Sequence, residues 1–114
     1  MQLKTPKLLD DLRDAAEFIR EAVNGKSFGD YHGDRILRQA IERSFEIIGE
    51  AMKRLAQHDP ESAARIGDYR QIIAFRNVLI HGYDLVDHQL VWSTIELEVP
   101  ALLRDIAKLQ KPAP

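Results

Sequence analysis

Apolar residues recur at three- and four-residue steps through most of this chain, the period of a helix that buries one face. In the first such run Leu8, Leu12, Ala15, Ala16, Ile19, Ala22 and Val23 form the stripe, while Asp11, Arg13, Asp14, Glu17, Arg20 and Glu21 fall largely on the other side. Thr5 followed by Pro6 marks its start, because Thr can cap orphan amides and the first turn does not need the N–H that proline lacks. Asn24-Gly25 ends it. The segment 26–33 sets Phe28 and Tyr31 among Gly and Asp and reads as a loop, or a frayed helix start, pinned by aromatics. A second long helix is predicted from about Asp34 to Leu55, with Ile36, Leu37, Ile41, Phe45, Ile48 and Met52 on a wide apolar face that makes it the most buried. Gly49 inside it costs about 1 kcal/mol relative to Ala. A neighbouring backbone is therefore expected to come close at that point.

Asp59-Pro60 repeats the cap-then-proline signal and opens a short helix that Gly67 is expected to close. Asp68 with Gln71 has the capping-box pattern and precedes Ile72, Ile73, Phe75, Val78, Leu79 and Ile80, with Gly82 placed to stop the helix. Arg76 and Asn77 then lie on this helix and His81 at its end. Asp87 caps the last helix, Val86 and Val91 take the two staple positions, and Pro100 is expected to kink it. Four sizeable helices with short connections and no strand-like alternation predict an all-α protein. The expected arrangement is an antiparallel up-and-down four-helix bundle with a short extra helix. One domain spans 1–110, followed by a flexible tail, 111–114.

A chain of 114 residues, 45% hydrophobic and 30% charged, can bury a single core and has little room for a second domain. Without cysteine there is no disulfide framework, thiolate nucleophile or cysteine-rich zinc site, which fits a cytoplasmic protein. No apolar run approaches the roughly 20 residues that span a bilayer, so no membrane association is expected. The net charge is −2 and the pI about 6.1. Such a chain lacks the broad basic surface of a nucleic-acid binder held by overall charge, and any RNA contact must be local.

The candidate chemistry sits in Arg76-Asn77-Val78-Leu79-Ile80-His81-Gly82-Tyr83. Arg76 offers a planar fork of donors that matches phosphate oxygens. His81 can move a proton from a helix end where the macrodipole favours positive charge, and Tyr83 offers a hydroxyl. Arg76 and His81 are five residues apart, about 140° around an ideal helix, so they converge only if the last turn unwinds or a second copy faces the first. Structural roles remain open for each: a surface ion pair for Arg76, a capping or solvent-facing role for Asn77, a C-terminal cap for His81, a buried ring for Tyr83. Glu46 and Glu50 read as a solvated helix face, with Glu50 also able to brace Arg76. His32, His58 and His88 lack ligand spacing and read as surface residues, so no metal site is expected.

The Arg-x4-His-x-Tyr spacing, preceded by Phe75 and continued by Asp84 to Trp92, resembles the HepT-like proteins of the HEPN superfamily, as does Ile47-Ile48-Gly49-Glu50-Ala51 upstream. The likeness covers roughly residues 5 to 110. It implies the same bundle and a toxin ribonuclease of a prokaryotic toxin–antitoxin pair that cuts RNA without a metal or other cofactor. Arg76 would hold the scissile phosphate, His81 would act as general acid or base, and Asn77 would support the cleft, which the family builds at a homodimer interface. Tyr83 would accept AMP from a partner minimal nucleotidyltransferase, the antitoxin. The alternative is a non-catalytic dimeric module that scaffolds such a nucleotidyltransferase. The wide apolar faces of the second and last long helices exceed what one small bundle needs, which also predicts a dimer.

Overall fold

A computed structural model describes residues 2–111, and the segment 112–114 of the expected tail lies outside the described residues. Its helices are α1 (Thr5–Val23), α2 (Phe28–His32), α3 (Arg35–His58), α4 (Pro60–Ala64), α5 (Tyr69–His81) and α6 (His88–Gln110). A 3-10 turn, Tyr83–Leu85, joins the last two. No strand occurs among the described residues. The four long helices form the predicted all-α bundle. Central α3 packs against both α1 and α5, and α6 packs against α1. The Arg13 guanidinium donates to Gln110 Oε1 at 2.7 Å, which sets the C-terminal end of α6 beside the N-terminal half of α1, antiparallel to it. The core runs between these helices through Leu9, Leu12, Ile19, Ile41, Met52 and Ile106, all essentially without exposure.

Several helix starts differ from their sequence signals. Thr5 does not cap α1; it is the first helical residue, buried, and its hydroxyl donates to Asp59 Oδ2 at 2.7 Å. The hydroxyl is drawn away because Asp59, capping α4 through the Ser62 amide, also gathers the Ser62 hydroxyl at 2.7 Å. These donors, Thr5 first, hold the Asp59 carboxyl down at about 2. Asp68 makes no capping box with Gln71, because its backbone is left-handed (φ 57°) and its side chain caps nothing. Gly67 does not close α4, which ends at Ala64 with Arg65 as its C-cap; the Gly67 amide instead donates to Asp105 Oδ2 of α6. The segment after α1 is more ordered than a loop: Ser27 and Asp30 form a reciprocal capping box that starts α2. Helix α3 runs on past Leu55 to His58. Asp87 caps α6 as expected, Asp34 caps α3, and α6 continues as helix through Pro100.

His88 departs from a surface role. Its ring, half-buried, packs edge-on against Tyr31 (6.1 Å) and His32 (5.6 Å), and Trp92 lies 5.5 Å from Tyr31. This aromatic knot ties α2 to the start of α6. Burial, followed by the Arg38 charge, lowers the His88 pKa, and burial raises that of Tyr31.

The bundle is left open along one seam. Helices α5 and α6 barely meet, and a groove of about 490 Å³ runs between them over α3, lined by Phe45, Ile48, Phe75, Val78, Leu90 and Leu102 among others. Val78 and Leu90 are at least half exposed at its lip.

Candidate active site

Arg76 is set by α3 at two successive positions. A Cβ added to Gly49 would lie 2.1 Å from Arg76 Cβ and 2.6 Å from Cγ, so only glycine lets α5 come this close. The close approach that Gly49 predicts is therefore made by the stem of Arg76. The next residue, Glu50, takes the head group: Arg76 Nη2 stands 3.1 Å from Glu50 Oε2. The other carboxylate oxygen faces Arg54 Nε at 3.2 Å. One carboxylate thus serves two guanidinium groups, in a hollow whose lining holds three acidic and three basic side chains. Arg76 Nη1 donates to Asn77 Oδ1 at 3.1 Å, while Nε is buried and meets no acceptor among the described residues. The surrounding hollow, about 210 Å³, also takes in Leu8 and Asp11 of α1, Arg43 and Glu46 of α3, and Ile80 of α5.

His81 is the last residue of α5 and is exposed. Its side chain makes no hydrogen bond or ion pair among the described residues, so it does not cap its own helix. It lies three residues after Val78 and seven after Ala74, both of which line the open seam, and so it shares their side of the helix. Arg76 faces the α1–α3 hollow instead. The last turn does not unwind to bring the two together; Gly82 ends the helix with its amide donating to Val78 O at 2.8 Å. Tyr83 follows in the 3-10 turn with 79% of its surface exposed, which rules out a buried ring. Asn77 is exposed and occupied with Arg76. The Arg54 contact was legible as an i,i+4 pair with Glu50. The Arg76–Glu50 pair joins residues 26 positions apart, and its signal was Glu50 inside the Gly49-Glu50-Ala51 segment. No group of three or more His, Cys, Asp or Glu side chains able to hold a metal occurs among the described residues, and no described helix is long and apolar enough to cross a membrane.

A family model described as ribonuclease HepT-like matches residues 12–109. The chain belongs to this family. The matched span contains Gly49, Glu50 and the whole Arg76-to-Tyr83 segment. A protein of Caldanaerobacter subterraneus subsp. tengcongensis, named as a candidate RNase, is 36% identical over 108 residues, covering 94% of this chain and 96% of its own. One from Thermococcus cleftensis, named as a candidate ribonuclease HepT, is 33% identical over 103 residues, covering 90% and 93%. No solved structure matches the chain.

Proposed function

We propose that the protein is the ribonuclease toxin of a prokaryotic toxin–antitoxin pair, acting in the cytoplasm as a homodimer. The observation that carries this reading is Arg76, the motif arginine, oriented by Gly49 and Glu50 inside a chain of the ribonuclease HepT-like family. Its pinned guanidinium binds the scissile phosphate through the N–H groups of its terminal amines that Glu50 and Asn77 leave free. The substrate's own 2′-hydroxyl attacks phosphorus and the bond to the 5′-oxygen breaks, leaving a 2′,3′-cyclic phosphate and a 5′-hydroxyl. His81 exchanges the proton, taking it from the nucleophile or giving it to the leaving oxygen. Asn77 keeps the Arg76 head group in line.

The homodimer is supported by the open α5–α6 seam. A second copy seated there buries Val78 and Leu90 and reaches the side of α5 that carries His81. The antitoxin, a minimal nucleotidyltransferase, transfers AMP to Tyr83, whose hydroxyl is accessible two residues beyond His81. The added phosphate competes with RNA for the same donors.

The test is cleavage of single-stranded RNA by wild type and His81→Ala, with a chelator present and with light scattering on the same samples. Wild type should cleave as a dimer and leave cyclic phosphate ends. His81→Ala should be folded, dimeric and inactive. Cleavage by the folded variant would remove His81 from the chemistry. A wild type that never cleaves but binds the nucleotidyltransferase would establish the scaffold role instead, and a monomer of about 13 kDa would remove the shared cleft.

A further inference from the structure

One surface of the chain carries more basic than acidic side chains. Between α1 and α6 lies an open groove of about 670 Å³ bordered by Arg13 and Arg20 from one helix and Arg104 and Lys111 from the other. Glu17 is the one carboxylate among its lining residues, in a chain whose acids outnumber its bases by two. Arg13 and Arg20 are seven residues apart, about 10 Å along the same side of α1, and Arg104 of α6 with Lys111 just past its end lies on the opposite edge. Its floor is apolar, formed by Pro100, Leu103 and Ala107. Arg13 is held in place by Asp10 at 3.2 Å and by Gln110 at 2.7 Å, and Arg20 lies 3.1 Å from Glu17. Arg104 is exposed and forms no ion pair among the described residues.

We infer that the α1–α6 groove is a second contact site for single-stranded RNA, holding the phosphodiester backbone of a substrate whose scissile bond lies at Arg76. The inference rests on the ribonuclease reading. Two rows of cations over an apolar floor suit a flexible polyanion that sets phosphates on the rails and base or ribose faces on the floor. The groove lies away from Arg76. Arg13 and Arg20 come two residues after Asp11 and Phe18, about 160° further around α1, whereas Asp11 lines the Arg76 hollow. A strand touching both sites must cross the solvent face of α1, so a dinucleotide cannot bridge them and a longer strand can. The site supplies the local positive charge that an acidic ribonuclease needs to retain RNA, and it makes affinity depend on substrate length.

The experiment measures fluorescence anisotropy of a labelled RNA of about 20 nucleotides, 2′-O-methylated so that it cannot be cut through its own 2′-hydroxyl. Wild type is compared with Arg20→Gln/Arg104→Gln and, as an equal loss of charge elsewhere, with Lys26→Gln/Arg65→Gln, all checked for helicity by circular dichroism. The groove variant should bind on the order of tenfold more weakly, with the slope of log affinity against log salt reduced by about 1.4, or about 0.7 for each lost cation. The control should bind like wild type, and cleavage of an unmodified dinucleotide should be the same in all three. A groove variant that binds and titrates like wild type overturns the inference while leaving the ribonuclease reading intact, as does a control that weakens binding equally. A wild type with no affinity for RNA overturns both. Binding of anionic lipid vesicles through Arg20 and Arg104, with RNA affinity unchanged in the variant, would assign the groove to a membrane surface and overturn the RNA site.

Discussion

Gly49→Ala is the most direct perturbation of the Arg76 geometry. The new methyl carbon would stand 2.1 Å from Arg76 Cβ and 2.6 Å from its Cγ. Carbon atoms rest at about 3.5–4.0 Å, so the two helices must separate or slide by more than about 1 Å. The obstacle is the root of the arginine rather than its flexible tip, so rotating the side chain gives no relief. Overpacking of this kind costs roughly 1–3 kcal/mol, and alanine returns about 1 kcal/mol in helix propensity. With the clash this severe the upper end applies and the net loss is about 2 kcal/mol, near 8 °C in Tm for a domain of this size. Thermal unfolding by circular dichroism should be run at one protein concentration, because the Tm of the proposed dimer would depend on it. Gly29→Ala is the control: its Cβ would meet only Ser27 Oγ at 3.6 Å, and it should be neutral or slightly stabilising. Cleavage reports the functional half, since displacing Arg76 by about 1 Å should cost on the order of a hundredfold in rate. A Gly49→Ala protein as stable as wild type, or one that cleaves normally, would refute the account of why glycine stands there.

Two further outcomes follow from other parts of the chain. Thr5→Val removes the largest of the hydrogen bonds that hold the Asp59 carboxyl at about 2, against roughly 3.9 when unfolded; a folded-state pKa below the unfolded one stabilises above about pH 4 and the benefit is lost as pH falls through about 2. The variant should lose about 1.5–3 kcal/mol at neutral pH and unfold at higher pH on acid titration followed by Trp92 fluorescence, and an unshifted acid transition would contradict the strap. For Tyr83→Phe, co-expression with the partner nucleotidyltransferase should give no AMP-sized mass increase by intact mass spectrometry, while wild type gains it; modification that survives the change would place the acceptor elsewhere.

The long helices were legible because each carries a three- and four-residue apolar period, and the start of the last one was legible at Asp87, where cap and helix lie within a few residues. Gly49 was legible for a different reason: a residue that costs about 1 kcal/mol in a helix interior must be offset by something that needs the space. The failures have a common cause, competition from groups distant in sequence. The Thr5 hydroxyl has an amide to cap within its own turn, yet it goes to a carboxylate 54 positions away, where three further donors converge. The Asp68–Gln71 pattern fails because Asp68 adopts a left-handed backbone, a conformation set by how α5 meets the turn before it and invisible in residue types. His32 and His88, without ligand spacing, become ring neighbours through the docking of α2 on α6. Periodicity reports which face of each helix is apolar and leaves unstated which pair of helices stays apart, so the open α5–α6 seam could not be read.

The placement of Arg76 also bears on the chain's acidity. A net charge of −2 argues against a protein that collects RNA by overall field, but a phosphate-binding arginine depends on local charge and on how little it must reorganise. Here Gly49 fixes the stem, Glu50 the head and Asn77 one terminal amine, so orientation is set by α3 and α5 before any ligand arrives. Glu50 does this at modest electrostatic loss, because Arg54 shares the same carboxylate. The buried Nε donor remains unpaired. In the proposed reaction the surface ion pair would also be the phosphate site, with Glu50 the positioning residue and Arg76 the group positioned.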